Sequence, residues 1–234
     1  HLFAELGDKN NENLFLLKDF KIQVNLNADY RNRNEMNYWN PEFGDAKNVQ
    51  GSLVKENNLL LSYTFNQLLY YQTKLDVHTI DIMAGHEFYS RKYSFLLGER
   101  DGFPFPGLYE LGSGAVIKNA DSNTDRYYVE SYLSRLNYDY ADKYYFSGSF
   151  RRDASSRFHP DHRWGTFWSL GGAWRISEEE FMSNVTWLNN LTFEAAYGVQ
   201  GNDYLRELIG GRYYEIYYAW QGIYDMTNPN ANYS

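Results

Sequence analysis

The chain has 234 residues and a formal net charge of -8, and 19% of its residues are aromatic, with 23 Tyr, 15 Phe and 6 Trp. This composition, with a mean hydropathy of -0.65, is too rich in tyrosine for an ordinary soluble core and too polar for helical membrane spans. The acidic balance disfavours nucleic acid as a partner, because a phosphate-binding surface requires clustered Lys and Arg. The sequence contains no cysteine, which excludes disulfides and thiolate metal sites within it.

The first long element that the sequence predicts is a strand over residues 18 to 31, KDFKIQVNLNADYR. Apolar and polar side chains alternate along it, so each set falls on its own side of an extended chain. The apolar positions are Phe20, Ile22, Val24, Leu26, Ala28 and Tyr30. The polar positions are Lys21, Gln23, Asn25, Asn27, Asp29 and Arg31. The two faces of this strand are therefore expected to meet different surroundings.

Similar patterns recur along the chain and predict about eight strands in all. The further strands are predicted over residues 59–72, 77–93, 127–140, 144–152, 164–176, 188–199 and 213–224. A polar turn at Ala141 and Asp142 separates two of them and predicts a hairpin. The strongest helix signal is SEEEFM, residues 177–182, where Ser177 followed by Glu180 has the pattern of a capping box.

The predicted connections alternate in length, which is typical of an outer-membrane β-barrel. They are long at residues 32–56 and 98–126, short at 73–76 and 141–143, and moderate at 153–163. Strands of ten or more residues exceed the ~5 to 6 residues common in soluble sheets and match the ~9 to 11 that cross a bilayer at a tilt. The sequence therefore predicts an all-β fold, an antiparallel transmembrane β-barrel.

Motifs for catalysis or metal binding are weak. His159, Asp161 and His162 lie close together in RFHPDHRWG, but a surface loop containing proline explains them, because the set lacks a secure third and fourth ligand. The carboxylates of Asp153 and residues 178–180 are not paired at a catalytic separation by anything in the sequence. A nucleophile elbow, a phosphate-binding glycine loop and a His-Glu zinc motif are absent from it. We expect neither an enzyme nor a cofactor.

Aromatic residues in the long predicted loops are candidates for contact with a substrate. Trp39, Phe103, Phe105 and Tyr109 have flat apolar faces on which the C–H faces of a sugar ring can stack. Packing of one loop against another is the simpler explanation for the same residues. Arg157 and His159 in the loop at 153–163 complete the set of candidate substrate-contacting or partner-contacting residues.

Six stretches of the chain carry a family resemblance when they are taken together. They are GHEFYSRKY (85–93), GFPFPGLYEL (102–111), ESYLSRLNYDYADKYYFSGSFRRDASSRF (130–158), RWGTFWSLGGAWRISEEEFM (163–182), WLNNLTFEAAYGVQGND (187–203) and YYAWQGIYD (217–225). They resemble the SusC/RagA-like TonB-linked (TonB-dependent) outer-membrane transporters of Bacteroidetes. The run from Glu130 to Asp203 is the most specific part. Ala154 is a departure, since the family usually has Gly there.

The resemblance implies a barrel of about 22 strands that contains an N-terminal plug. Residues 1–234 are expected to be part of that barrel domain, a section of about eight strands without the plug and the remaining strands. The implied function is TonB-driven uptake of oligosaccharides or peptides across the bacterial outer membrane. The implied partners are a SusD-like surface lipoprotein, the TonB–ExbB–ExbD complex acting through the plug, outer-membrane lipid, and the glycan or peptide cargo.

A barrel also predicts which residues face lipid and which face its lumen. Facing lipid are Phe20, Ile22, Val24 and Leu26. Facing the lumen are Gln23, Asn25, Asn27, Asp29 and Arg151. The loops at 32–56, 98–126, 153–163 and 201–212 are then extracellular. A soluble carbohydrate-binding β-domain and a secreted glycosidase fragment are the alternatives, and either would hide its apolar strand faces inside the protein.

Overall fold

A computed structural model of the chain describes residues 2–6, 19–209 and 211–221. Eight strands form one sheet in the order β1 to β8, and β9 pairs with β10 in a separate hairpin. The strands are β1 (Leu2–Leu6), β2 (Phe20–Trp39), β3 (Ser52–Leu75), β4 (His78–Asp101), β5 (Val116–Tyr140), β6 (Tyr144–Ser155), β7 (Trp164–Arg175), β8 (Thr192–Val199), β9 (Arg206–Ile209) and β10 (Arg212–Glu215). No helix among the described residues is long and apolar enough to span a membrane.

The strand order of the large sheet follows the order of the chain. Each strand is hydrogen-bonded to the next one, and the ladders of β1 with β2 and of β5 through β8 are antiparallel. This is the connectivity of an up-and-down barrel wall. The predicted all-β antiparallel fold of about eight strands is confirmed. Strand β1 was not predicted, and the strand predicted over residues 213–224 is only β10 within the described residues, since 222–224 lie outside them.

Strands β2 to β5 are longer than the alternation predicts, at 20, 24, 24 and 25 residues. The long connections predicted at 32–56 and 98–126 shrink to residues 40–51 and 102–115. In the added part of β2 both faces carry polar side chains, so the sequence has no alternation to reveal the strand. Asn57 on β3 contacts this part of β2: its amide donates to the side-chain oxygens of Asn32 at 2.7 Å and of Asn34 at 2.5 Å.

The hairpin predicted at Ala141 and Asp142 is confirmed. Lys143 N–H donates to the Tyr140 carbonyl at 3.0 Å, and the two central residues have φ values of 58° and 56°. Two positive φ values define a type I′ turn, whose twist matches that of the flanking strands. The Asp139 side chain accepts the Asp142 N–H at 2.9 Å and supports the turn.

The capped helix predicted over residues 177–182 was wrong. The stretch forms two 3-10 turns, Ile176–Glu178 and Glu180–Met182, and neither has a side-chain cap. Ser177 N–H donates instead to the Leu191 carbonyl at 3.2 Å, which closes the connection between β7 and β8.

The described residues cluster into two compact units, the first formed by those within 1–26, 64–89 and 128–234 and the second by 27–63 and 90–127. The described part of the second unit buries Leu53, Phe103 and Ala46, whereas that of the first buries only Ala154 among its apolar residues. Gln50 and Gly102 adopt positive φ beside this small core, and Phe103 N–H donates to the Gln50 carbonyl at 2.7 Å. Most apolar strand residues therefore stay at least partly exposed.

Candidate transport surface

Polar side chains of β2, β3 and β4 meet on one face of the sheet in the first unit. The Asn25 amide accepts from Gln23 at 3.2 Å and donates to Asn66 at 2.7 Å. The Gln72 amide donates to the Asp81 carboxylate at 2.7 Å. Asn66 and Gln72 are an even number of residues apart on β3, so all these side chains share that face, which we call the polar face.

Arg151 joins the polar face through a cluster that spans three strands. Its Nε donates to both carboxylate oxygens of Asp153, at 2.8 and 2.9 Å, and its guanidinium also reaches Ser131 at 3.0 Å and Glu87 at 3.4 Å. Ser131 lies opposite Asp153 in the ladder of β5 with β6. Glu87 and Asp81 are an even number of residues apart on β4, so Arg151 lies on the same face as Asn25.

A cavity of about 710 Å³ lies on the polar face of the first unit. Its lining includes the hydrogen-bonding side chain of Asn137 and three carboxylates, those of Asp81, Asp139 and Glu194. Arg175 contributes a positive charge and stacks its guanidinium 5.3 Å from the centre of the Tyr145 ring. Such a surface offers hydrogen bonds to a polar solute and a net negative potential.

The opposite face of the same strands is apolar. The ladders place Tyr138 beside Phe146, Phe150 beside Trp168, and Leu170 beside Tyr197. Leu170 is 49% exposed and Tyr197 72% exposed, and the others on this face are at least partly exposed. We call this side the apolar face, and it is uncovered in the described residues.

Strand β2 shows the same division. Leu26 is 67% exposed, and Phe20, Ile22 and Val24 are half-buried rather than enclosed. The Phe20 ring lies 4.7 Å from that of Tyr71 on β3. These apolar side chains contact their neighbours along the sheet without being enclosed, as expected for a surface that another apolar medium covers.

An aromatic cluster ends the apolar face at the short-turn end of the strands. Tyr144 stacks on Trp174 with ring centres 6.5 Å apart. Tyr140 lies tilted beside Tyr144 at 6.1 Å, and Phe181 meets Trp174 edge-on at 6.5 Å. We call these four residues the girdle cluster. Glu179 accepts hydrogen bonds from the Tyr144 hydroxyl at 2.6 Å and the Trp174 indole N–H at 3.0 Å.

The hydrogen bond from Tyr144, together with that from Trp174, holds the pKa of Glu179 below its ordinary value of 4.5. Lys143 Nζ lies 3.6 Å from the other Glu179 oxygen and acts in the same direction. The carboxylate is therefore charged at neutral pH and ties the connection at 176–191 to the girdle cluster.

The aromatic residues predicted in long loops of the second unit differ in exposure, and Trp39 is the last residue of β2 rather than a loop residue. Trp39, Phe105 and Tyr109 are 39%, 58% and 49% exposed, and all three remain available to a ligand. The Tyr109 ring contacts Tyr38 edge-on at 5.0 Å, and the Tyr38 hydroxyl accepts the Gly107 N–H at 3.1 Å. Phe103 is only 2% exposed and belongs to the small core of this unit.

Arg157 and His159 also have distinct surroundings. Arg157 is 2% exposed, forms a salt bridge with Glu215, donates to the Asp203 carbonyl at 3.3 Å, and lies over the rings of Tyr204 and Tyr217. It therefore links the loop after β6 to the segment around β9 and β10, and presents almost no surface.

His159 is more exposed than Arg157. Its Nδ1 accepts the Asp161 N–H at 3.3 Å, and its ring meets that of Trp220 edge-on at 5.2 Å. This local role explains the histidine without a metal. Among the described residues no group of three or more His, Cys, Asp or Glu side chains is arranged to hold a metal ion.

Sequence reasoning missed several residues of the polar face. Asn137, Arg175 and Glu194 line its cavity, but none was selected. The alternation along β5, β7 and β8 already puts these three residues on the side opposite the apolar positions, so it could have identified them. Glu179 was considered only as a possible catalytic carboxylate, and its hydrogen bonds to Tyr144 and Trp174 were not predicted.

The chain is similar in sequence to known TonB-dependent receptors. No family model matches the chain. TonB-dependent receptor SusC of Bacteroides thetaiotaomicron is 28% identical over 218 residues, which are 93% of this chain and 20% of that protein. TonB-dependent receptor P39 of Formosa agariphila is 30% identical over 191 residues, 78% of this chain and 18% of that protein. This chain is SusC/RagA-like.

The solved structure of the RagAB peptide importer in its open-open state has the same fold, with a TM-score of 0.72 and 24% identity over 81% of this chain and 22% of that chain. The chain spans about one fifth of the length of its curated relatives. The SusC/RagA-like sheet is thus a section of an outer-membrane β-barrel. The matched curated relatives are named as receptors and not as enzymes.

Proposed function

We propose that the protein containing this SusC/RagA-like section imports oligosaccharides or peptides across the outer membrane, together with a SusD-like surface lipoprotein and with energy from the TonB complex. The observation that carries the proposal is a sheet of long strands with one apolar and one polar face. Lipid satisfies the apolar face, and the polar face lines a water-filled path.

The polar face suits a large polar cargo. Asn66, Asn137 and Gln72 supply amide groups that both donate and accept hydrogen bonds, as sugar hydroxyls and peptide groups do. Asn25 is buried, and its amide donates to Asn66. Asp81 and Glu194 add acceptors at the cavity. No nucleophile or general base is needed, because import breaks no bond in the cargo.

The extracellular loops would capture the cargo or meet the lipoprotein. Trp39, Phe105 and Tyr109 retain the exposed ring faces that this role requires. Phe103 and Arg157 support those loops from within, so their proposed contribution is to hold loop shape. His159 keeps its place among the candidate contact residues, in the loop after β6.

The orientation follows from loop length. Short turns of outer-membrane barrels are periplasmic and long loops are extracellular. The turns at 76–77 and 141–143 are then periplasmic, and the loops at 40–51, 102–115 and 156–163 are extracellular. The connection at 176–191 lies at the end of the 141–143 turn and is an exception to the length rule, because it is longer than each of these three loops. Lipid-facing positions are Phe20, Ile22, Val24 and Leu26. Lumen-facing positions are Gln23, Asn25, Asn27, Asp29 and Arg151.

The exposure of the apolar face also argues against the alternative of a soluble carbohydrate-binding domain. Such a domain would enclose the strand side that carries Phe146, Leu170 and Tyr197, yet these residues are 43%, 49% and 72% exposed. Exposed apolar residues over several adjacent strands instead fit a protein whose solvent on that side is lipid.

Deletion of the full-length gene tests the proposal. The deletion strain, and the same strain with the gene restored, are grown on defined glycans and peptides while uptake of labelled nutrients is measured. We expect loss of growth and uptake on one nutrient class, with recovery on restoration. Unchanged growth and uptake on every nutrient would count against an import role.

A variant of the restored gene tests the loop aromatics. Replacing Trp39, Phe105 and Tyr109 together with Ala should raise the cargo concentration for half-maximal uptake about tenfold or more, because stacked rings contribute about 0.5–1.5 kcal/mol each. Phe193→Ala is the matched control, since Phe193 is 63% exposed on the apolar face. Equal uptake by both variants would remove the loop aromatics from the proposal.

A further inference from the structure

The connection between β7 and β8, residues 176–191, is an ordered structure rather than an open loop. Besides the Ser177 to Leu191 hydrogen bond that closes it, Met182 N–H donates to the Glu179 carbonyl at 2.9 Å and Val185 N–H to the Met182 carbonyl at 2.9 Å. These bonds give the side chains of the connection fixed positions relative to the ends of the strands.

Glu179 attaches this connection to the girdle cluster. One of its oxygens accepts from both Tyr144 and Trp174, and the other faces Lys143 Nζ. Tyr144 and Trp174 are direct cross-strand partners of β6 and β7. The attachment therefore joins the connection to the apolar face and not to the polar one.

Phe181 continues the apolar face beyond the end of β7. Its ring contacts Trp174 at 6.5 Å with an interplanar angle of 66°, yet 64% of the residue is exposed. Trp187, in the same connection, is 81% exposed. The attachment of Phe181 to the girdle cluster, with so much of its ring still exposed, indicates an apolar medium at this end.

We propose that residues 176–191 form a membrane-surface foot in which Phe181 and Trp187 insert into the headgroup and acyl boundary of the phospholipid leaflet at the short-turn end of the barrel. The foot lies at the same end as the 141–143 turn, since Arg175 N–H donates to the Lys143 carbonyl at 2.8 Å. Aromatic rings with an ordered polar backbone behind them suit that boundary. Continuity with the lipid-facing band identifies phospholipid as the occupant.

Quenching of a site-specific fluorophore tests the foot in the full-length protein. The 234 residues contain no cysteine, so a cysteine-free background allows one label at a time, at F181C or W187C. The protein is placed in vesicles of phosphatidylethanolamine and phosphatidylglycerol. The apolar-face site F146C and the extracellular loop site F105C serve as controls.

Nitroxide-bearing phospholipids should quench labels at 181 and 187 as strongly as they quench the label at 146. They should quench the label at 105 severalfold less. Stronger quenching by aqueous iodide, as at 105, would overturn the foot. Protection from both quenchers would also overturn it, because it would mean that protein covers the site. Failure of the label at 146 to meet lipid would instead reject the barrel orientation itself.

Variants of Glu179 test whether its hydrogen bonds to Tyr144 and Trp174 hold Phe181 at the lipid boundary. E179A removes the acceptor of Tyr144 and Trp174, so lipid quenching at 181 should fall while that at 146 stays unchanged. E179Q keeps an oxygen in the same place and should retain most of the quenching. Unchanged quenching at 181 in E179A would overturn the anchoring role of Glu179.

Discussion

At the residue scale, single polar side chains connect neighbouring strands where no apolar core exists to do so. Arg151 on β6 contacts Glu87 on β4 and Ser131 on β5 besides its own neighbour Asp153. Its side chain is 45% exposed, so solvent screens the charges and the pairs are individually weak. The cluster should therefore act by fixing strand positions more than by adding stability.

A double-mutant cycle on Arg151 and Asp153 measures this contact. R151Q, D153N and the double variant of the full-length protein should give a coupling free energy of about 0.5–1 kcal/mol in urea unfolding from lipid vesicles. The coupling between the two residues should be stabilising, because Arg151 Nε donates to both carboxylate oxygens of Asp153. Arg152 lies over the Trp164 ring on the other face of the sheet. The same cycle with R152Q and D153N is therefore the control. Additive effects of R151Q and D153N would contradict the expectation.

Glu179 predicts a pH dependence of stability. Its folded pKa is lowered by Tyr144 and Trp174, so its contribution is present above its unfolded pKa near 4.5 and is lost as pH falls through the lower folded value. The melting temperature of the full-length wild type should therefore drop more between pH 7 and pH 3 than that of E179Q, which does not titrate. An identical drop in both proteins would show that Glu179 contributes nothing to it.

At the element scale, the sequence predicts strands wherever the two faces meet different media. Alternation located parts of β2 to β8, because apolar and polar positions separate along most of them, although Leu60, Leu68 and Tyr70 blur the polar side of β3. It failed for the added part of β2 around Asn32 and Asn34, where both faces are polar. It also misread residues 177–182, because the hydrogen bonds of Glu179 to Tyr144 and Trp174 come from distant strand ends that no local pattern contains.

Arginine substitutions on adjacent positions of β2 test the two faces. Val24 lies five residues beyond Asp19, about 17 Å along the strand and near the middle of the apolar band, which is about 25 Å tall. Val24→Arg should lower the free energy of unfolding by about 2–4 kcal/mol, whereas the matched Gln23→Arg, facing the lumen, should change it by less than about 1 kcal/mol. Unfolding from vesicles checks this, and equal losses would contradict the assignment.

The turn at residues 140–143 predicts a stabilising change. Ala141 holds a φ of 58°, a left-handed conformation that Asn adopts at lower cost. Ala141→Asn should raise the free energy of unfolding by about 0.5–1 kcal/mol, because the left-handed conformation costs an ordinary residue about 1–2 kcal/mol and Asn avoids part of that cost. Ala173→Asn, within β7, is the control and should not stabilise. A loss of stability in Ala141→Asn would contradict the proposed strain.

At the scale of the whole molecule, the sequence identified the family and the two faces but not the accessible part of the site. Phe103 and Trp39 look alike in the sequence, yet Phe103 is 2% exposed and Trp39 39% exposed. Arg157 is buried because residues near 203 and 215 fold over it. Such exposure depends on contacts between segments far apart in sequence, which a local pattern does not contain.

The charge of the polar face should influence which cargo the protein accepts. The chain has 30 acidic and 22 basic residues, and the cavity on the polar face holds the carboxylates of Asp81, Asp139 and Glu194 against Arg175. A surface of one sign raises the local concentration of oppositely charged solutes, repels solutes of the same sign and leaves neutral solutes unaffected. The lumen side should therefore favour neutral cargo over polyanionic cargo.

Neutralising the cavity carboxylates tests this selectivity. The full-length wild type should take up a neutral member of its cargo class faster than an anionic analogue of the same length. The double variant Asp81→Asn with Glu194→Gln should reduce this difference in uptake rate about twofold or more at low salt. Asp76→Asn with Asp142→Asn removes the same charge from the short turns and should leave it unchanged. Uptake of labelled cargo at low and high salt provides the measurement. Equal narrowing by both pairs would assign the selectivity to net charge, and no narrowing by either would remove the cavity from the cargo path.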